Sequence, residues 1–483
     1  MTVTRDRTPT APPPTLLRPL GLLTLLLGAA LPLIDFFVVN VALPTIERDL
    51  RASASTLEMV VAGYGVAYAV LLVLGGRLGD TFGRRRLFLW GTAGFGLTSL
   101  ACGLAPDAWT LVAARVAQGA TAALMLPQVL ATIHATTQGP RRGRALALYG
   151  ATGGVSSVLG QILGGVLVAA DLWGSGWRSI FLINVPVAAG ALLLAWRSVP
   201  DSRADRPGRS DLPGTLLLTA TLVALLLPLT EGRAAGWPAW SWALLLCAPL
   251  AGWAFHRVER RAELHGGSPL LPPSLLREPV LRRGLALAVP MFVGFGGFMF
   301  VIAIALQQGL SMGPLASGIT IAPMCAAFFT SSLYGPRVVA AVLGALGRRS
   351  DRREELTAGA LVQGAGLVVL GLTVLGGWPD LDPWRLAPGM VVLGLGQGLQ
   401  LPLYFRLMLS GVPAGRAGAG SGLAVTAQQS FLALGVALLG SLFLSLVPRL
   451  GARDALLTVL AAQLCGNLLM TLLASRLPAR VEG

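Results

Sequence analysis

An aspartate inside an apolar helix is expensive, and this sequence contains one. Asp35 lies in LIDFFVVNVALP, residues 33–44, with Leu, Ile, Phe and Val on both sides. A carboxyl group at membrane depth is a functional residue by default, suited to carrying a proton or another cation. Its candidate partner is in LVAARVAQGATAA, residues 111–123, where Arg115 and Gln118 are three positions apart and share one face of a helix rich in small residues. Counted along ideal helices, Asp35 lies about 12 Å from the outer end of its helix and Arg115 about 9 Å from the outer end of its own. At those depths the two side chains can meet.

A second cluster, GGRLGDTFGRRRLF at 75–88, combines turn-forming glycines, one acid and a run of arginines. Glycines recur at Gly160, Gly164 and Gly165, spaced to let a neighbouring helix approach closely. Metal and thiol chemistry find no support. Cys102, Cys247, Cys325 and Cys465 are far apart in apolar runs, and His134, His256 and His265 are scattered.

These residues must be held by membrane helices. The chain has 483 residues, 54% of them hydrophobic and only 12% charged, and its mean hydropathy is +0.70. Soluble domains carry about a quarter charged residues, so a water-soluble enzyme or DNA-binding protein is excluded. Apolar runs of bilayer-spanning length predict helices near 17–43, 56–77, 87–105, 109–133, 144–168 and 178–197, then 212–230 and 238–256, then 283–306, 315–344, 356–376, 385–410, 418–446 and 453–476. The order is six, two and six. All 37 basic residues are arginine; with the N-terminus inside, 27 fall in inside segments and seven outside, which orients the chain with both ends cytoplasmic. The net charge of +15 is thus spread over loops facing an anionic leaflet, and nucleic acid is not an expected partner. The expected organisation is a cytoplasmic tail (1–16), a six-helix bundle (17–198), a linker with two further helices (199–282), a second bundle (283–477) and a cytoplasmic tail (478–483). Two equal halves suggest the internal repeat of secondary transporters.

The motifs are more specific. The 75–88 segment resembles the loop signature of the major facilitator superfamily through Gly76, Leu78, Gly79, Asp80, Gly83, Arg84 and Arg85, with Thr81 where an arginine is usual. The first-helix segment looks like that of the fourteen-helix drug/proton antiporters through Asp35, Asn40, Ala42, Leu43 and Pro44, with Phe37 where threonine is often found. Residues 111–123 resemble the fourth-helix motif, and WRSIFLINVP (177–186), LGLGQGLQLP (393–402) and SGVPAGRAGAGSGLAVTAQQ (410–429) are similar to later signatures of the same branch. The fifth helix departs from it, because Gly160–Gln161 replaces the exporters' Gly-Pro.

The resemblance implies an all-α integral membrane protein of the major facilitator fold, with two six-helix halves plus two linker helices, fourteen in all. It implies proton coupling through Asp35 and Arg115, and a conformational latch at Gly76, Asp80, Gly83, Arg84 and Arg85. Helix packing falls to Gly160, Gly164 and Gly165. In this family the first and fourth helices of each half line the path, which selects Phe36, Asn40, Gln118, Phe295, Gln397 and Tyr404 as cavity residues. A largely apolar, aromatic cavity suits a small amphiphilic or aromatic substrate. The expected activity is proton-coupled export by alternating access, driven by the proton motive force with no bound cofactor or metal, by a monomer. An uptake carrier or facilitator is the alternative the missing Gly-Pro keeps open, with a non-transporting sensor or enzyme a remote one. The all-arginine, Ala/Leu/Gly-rich composition points to a high-GC bacterium and its inner membrane.

Overall fold

The computed structural model describes residues 17–171, 174–202, 211–232, 236–267, 269–345, 351–410, 412 and 417–477. Both predicted tails lie outside these residues. Among the described residues there are helices and turns and no strand. The first half holds α1 (Pro19–Leu50), α2 (Ala54–Phe82), α3 (Arg84–Gly103), α4 (Ala108–Thr136), α5 (Gly139–Ala170), the short α6 (Ser179–Leu182) and α7 (Asn184–Ser198). The linker pair is α8 (Leu212–Glu231) and α9 (Ala239–Leu264), followed by the short α10 (Pro273–Arg277). The second half holds α11 (Pro279–Ile304), α12 (Pro314–Ala345), α13 (Arg352–Gly377), α14 (Pro383–Ser410), α15 (Ala417–Gly435) and α16 (Ser441–Ser475).

Helix thus stands at each of the fourteen predicted places, and several ends differ: α2 and α9, for example, run on to Phe82 and Leu264, past the predicted 77 and 256. The first helix was expected to stop before Pro44 but continues to Leu50. A proline costs a helix one hydrogen bond, not the helix itself, and this one ends only where Arg51 turns left-handed (φ 49°) and its N–H closes onto Glu47. The last two predicted helices run together, bent at Gly451, whose φ of 80° is open to glycine. Nine spans among the described residues are long and apolar enough to cross a bilayer; one of them, Gly420–Ser475, runs 56 residues across that bend. Outward-facing leucines and tryptophans such as Leu246, Leu193 and Trp196 are exposed, as lipid-facing positions of a multi-pass membrane protein should be.

The repeat expected from the helix count is visible in the packing. In the first half α2 and α3 lie on α4, α1 lies on α5, and α7 lies on α3 and α1. In the second, α12 and α13 lie on α14, α11 lies on α15, and α16 lies on α13 and α11. Individual backbone contacts repeat too. A Cβ at Gly119 would meet the Tyr64 carbonyl at 2.3 Å, and one at Gly394 would meet that of Met324 at 2.1 Å. Likewise Gly160 abuts the Ile34 carbonyl and Gly435 that of Val293. Such contacts let only glycine through, so the sequence must place it at matching positions.

The halves join through α2 on α15 and α5 on α12, while α8 seats the linker pair on α2 and α15. Their shared core gathers at the arginine-rich end, where Phe88 and Tyr149 of the first half belong to one cluster with Phe292, Tyr404, Phe405 and Val425 of the second. Toward the opposite end each half has its own core, Val38, Ile46, Cys102 and Phe181 in one and Phe298, Ile302, Leu370 and Phe443 in the other. The bundle is therefore sealed between halves at the arginine-rich end.

Candidate functional site

The geometry around Asp35 follows from helix packing. Gly160 brings α5 against the backbone of residues 34–38 on α1, and the side chain of residue 35 is directed toward α4 and α7. Arg115 on α4 reaches it, with Nη1 2.5 Å from Asp35 Oδ2, and both side chains are fully buried. Gln118 Nε2 (3.0 Å) and Asn184 Nδ2 (2.7 Å) donate to the other carboxylate oxygen. Three donors from two helices therefore satisfy one carboxylate.

The guanidinium is held as tightly. Arg115 Nη1 also donates to Gln118 Oε1 at 2.7 Å, Nε donates to the Val60 carbonyl at 3.1 Å, and the guanidinium carbon lies 4.1 Å from the Tyr64 ring centroid. Tyr64 is itself anchored by its hydroxyl donating to Pro32 O at 2.9 Å. Gln118 Nε2 donates to Ser99 at 2.7 Å. A buried ion pair survives desolvation only when hydrogen bonds satisfy most of the remaining lone pairs and protons; here α2, α4 and α7 supply them, while Arg115 Nη2 is a buried donor with no hydrogen-bond partner among the described residues.

Sequence reasoning found Asp35, Arg115 and Gln118 and missed Asn184, Ser99 and Tyr64. Asn184 lies in the WRSIFLINVP segment, where a lone amide among apolar residues was the available signal. Nothing distinguishes Ser99 in the sequence.

The loop residues take separate places. Asp80 Oδ1 accepts from Arg84 Nη2 at 2.9 Å, both buried, so this pair lies within the first half. Arg85 donates to the Trp196 carbonyl and stands over that indole, tying α3 to α7. Gly83 has φ 101° between α2 and α3, a conformation glycine permits. Gly76 is buried in α2. One turn on, a Cβ at Gly79 would fall 1.9 Å from Gln128 Oε1, and Gln128 donates to the Gly75 carbonyl at 2.7 Å. Gln128 is the α2–α4 clamp that the motif alone does not reveal.

The five cavity candidates whose side chains are described do not line one chamber in this conformation. Gln118 is fully buried in the ion cluster. Tyr404 is buried at the sealed end in this conformation, edge-on against Phe292 and Phe405; an amphipathic ring looks alike in sequence whether it lines a path or closes one. Phe36 is half-buried, edge-on to Phe37 and near Tyr64. Phe295 is half-buried against the second half's core. The side chain of Asn40 lies outside the described residues. Gln397 lines a cavity of about 10 Å³ inside the second half, with Gly294, Gln363, Gln463 and Asn467, room for about one water. Among the packing glycines, Gly164 is buried, but nothing lies within 4 Å of a Cβ at Gly165. The close approach in α5 rests on Gly160.

That small cavity is the repeat counterpart of the ion cluster. Gly160 meets residue 34 and Gly435 meets residue 293, so Gly294 occupies the place of Asp35. The second half keeps amides there and no charge.

Two helical halves in internal repeat, joined at one end and with an ion pair buried inside the first half, are the architecture of a membrane transporter. Solved structures share the architecture. The human organic anion transporter MFSD10 superposes with a TM-score of 0.65 at 15% identity, covering 93% of this chain and 99% of that one. The proton:xylose symporter XylE gives 0.64 at 15% identity, covering 94% of each. The chain belongs to the Major Facilitator Superfamily, which it matches over residues 25–436. It is 38% identical to a probable actinorhodin transporter of Streptomyces coelicolor, over 92% of this chain and 75% of that protein. It is 36% identical to the puromycin resistance protein pur8 of Streptomyces alboniger, over 87% and 81%, and 33% identical to a tetracenomycin C resistance and export protein of Streptomyces glaucescens, over 90% and 80%.

Proposed function

We propose that this protein exports small amphiphilic or aromatic compounds, antibiotics among them, in exchange for protons, with Asp35 as the proton carrier. The observation that carries the coupling is the fully buried Asp35–Arg115 pair. Relatives named for antibiotic resistance and export support the direction and the substrate class.

With the arginine-rich face cytoplasmic, as the 27:7 distribution of arginine argues, the sealed end is the inner one and both termini are cytoplasmic. In this reading the conformation is an outward-facing state, and the protein works as a monomer in a bacterial inner membrane. Asp35 is ionised and locked to Arg115. Protonation removes the charge that holds Arg115, Gln118 and Asn184 on one oxygen pair, and frees α1 to move against α4 and α7. Return of the proton to the cytoplasm re-forms the pair. The two conformations are thereby biased by one proton on one group.

Transport in inverted vesicles with an imposed pH gradient, across a panel of dyes and antibiotics, tests this. Uphill accumulation that collapses with the gradient is the expected result. Equal accumulation without a gradient, or accumulation only in right-side-out vesicles, refutes the reading.

A further inference from the structure

The repeat breaks at one more place, and the break leaves a cavity. Gly75 on α2 and Gly335 on α12 occupy matching positions, and two residues on stand Arg77 and Arg337. Five residues on, the first half has Asp80 and the second has Ala340. The first copy of this loop thus carries a built-in carboxylate, buried and bonded to Arg84. The second copy has none at the matching position.

Where the second copy faces α5, a cavity of about 640 Å³ opens on the arginine-rich side between the two halves. Arg142 and Arg144 of α5, Arg337 of α12, Arg352 of α13 and Arg406 of α14 line it, with His134. No Asp or Glu is among its lining residues. The nearby acids stand at the start of α13: Asp351 caps that helix through Glu354 N, and Glu355 acts on Arg406 electrostatically. Arg142 is steered by bonds to the Thr137 and His134 carbonyls. Arg406 crosses from the second half to the first, since a Cβ at Gly143 would fall 2.9 Å from its Nη2. Arg406 Nε and Arg352 Nη1 are buried donors with no hydrogen-bond partner among the described residues.

We propose that this cavity binds a phosphate-bearing anion that bridges the two halves, supplying the charge that Asp80 supplies in the other copy. Five guanidiniums lining one cavity repel each other, and forked donors match the several oxygens of a phosphate better than any single carboxylate. A phospholipid headgroup is the favoured source. Tyr334, on the cavity wall, is 54% exposed, and Val338 and Val342 continue the same helix at 58% and 54%, so the cavity opens toward the lipid-facing surface, where basic pockets between helices take anionic headgroups.

The test uses the full-length protein in a neutral, phosphate-free detergent and follows its unfolding midpoint. The probes are short-chain phosphatidylglycerol, phosphatidylcholine of the same chain length, and inorganic phosphate. Phosphatidylglycerol should raise the midpoint and phosphatidylcholine should not. Arg337→Gln with Arg406→Gln should weaken the phosphatidylglycerol response at least about ten-fold, whereas Arg260→Gln on α9 should leave it intact. Arg144→Gln with Arg337→Gln, both at exposed positions, gives the same comparison should loss of Arg406 impair folding. A response to phosphatidylglycerol alone assigns the headgroup, and an equal response to inorganic phosphate assigns the free anion; both support the site. Equal responses to the two lipids, no response to any probe, or an undiminished response in the arginine variants overturns it.

Discussion

Replacing Asp35 by asparagine separates coupling from architecture. Asparagine has the same shape and keeps an oxygen for the amides of Gln118 and Asn184, which now donate to Asp35 Oδ1 at 3.0 and 2.7 Å. Its amide nitrogen, however, faces Arg115 Nη1, which now sits 2.5 Å from Oδ2, so a donor meets a donor. Removing one partner of a buried pair costs about 3–5 kcal/mol because the other charge is left uncompensated. Here the guanidinium retains Gln118 Oε1, the Val60 carbonyl and the Tyr64 ring, the last worth about 2 kcal/mol when desolvated. The net loss should fall at about 2–3 kcal/mol, enough to lower the unfolding midpoint without abolishing the fold. Asp35→Asn with Arg115→Gln removes both charges and should recover most of that stability, since the pair is replaced by neutral groups. Transport should behave oppositely. Neither the single nor the double variant can alternate a proton at this position, so gradient-driven dye accumulation in inverted vesicles should vanish in both, while downhill exchange persists. Uphill accumulation by Asp35→Asn would refute the coupling role. Recovery of uphill transport in the double variant would show that the pair serves structure alone.

Asp80→Asn should slow transport at unchanged membrane insertion, because it strips a buried guanidinium, Arg84, of its carboxylate; near-normal turnover in vesicles would reduce the loop to a topological signal. Gly160→Leu should destabilise the bundle by about 1–3 kcal/mol, since even a Cβ there would fall 2.7 Å from the Ile34 carbonyl, and a thermal midpoint equal to wild type would refute the α1–α5 contact. Glu259, past the predicted span 238–256, is buried and pushed up to about 8 by desolvation and by the neighbouring Asp211. A raised carboxyl contributes stability below its unfolded value near 4.5 that is lost as pH rises through the folded value, so the midpoint should fall between pH 5 and 8 and level above. Glu259→Gln, a permanent mimic of the protonated acid, should flatten that slope; an unchanged slope in the variant would place the titration elsewhere.

What was legible in the sequence was whatever the bilayer makes costly. Asp35 and Arg115 stand out because ionised groups in apolar helices are rare, and helix arithmetic alone placed them at a depth where they could touch. The helices themselves follow from apolar length. Asn184 and Ser99 were not legible, since an amide and a hydroxyl are common in membrane helices and acquire meaning only from their distance to Asp35. Gln118 was noticed for its face and assigned to the substrate path, whereas its amide completes the carboxylate's shell. Tyr404 is hard to place for another reason: whether a residue lines a path depends on which end of the bundle is closed, a property of the conformation rather than of the residue.

The repeat copies packing and not chemistry. Gly119 and Gly394, and Gly160 and Gly435, recur because helix crossings at backbone distance tolerate nothing larger. The acids do not recur: Asp35 has Gly294 in its place, and Asp80 has Ala340. A scaffold doubled with its charges would bury four ion pairs rather than two, each paying desolvation, and would give both halves a protonation state to settle before the bundle could rock. Under the proposed coupling, one titration at Asp35 biases the equilibrium from a single site, because its counterpart in the second half is lined by the amides of Gln363, Gln397, Gln463 and Asn467 and by no acid.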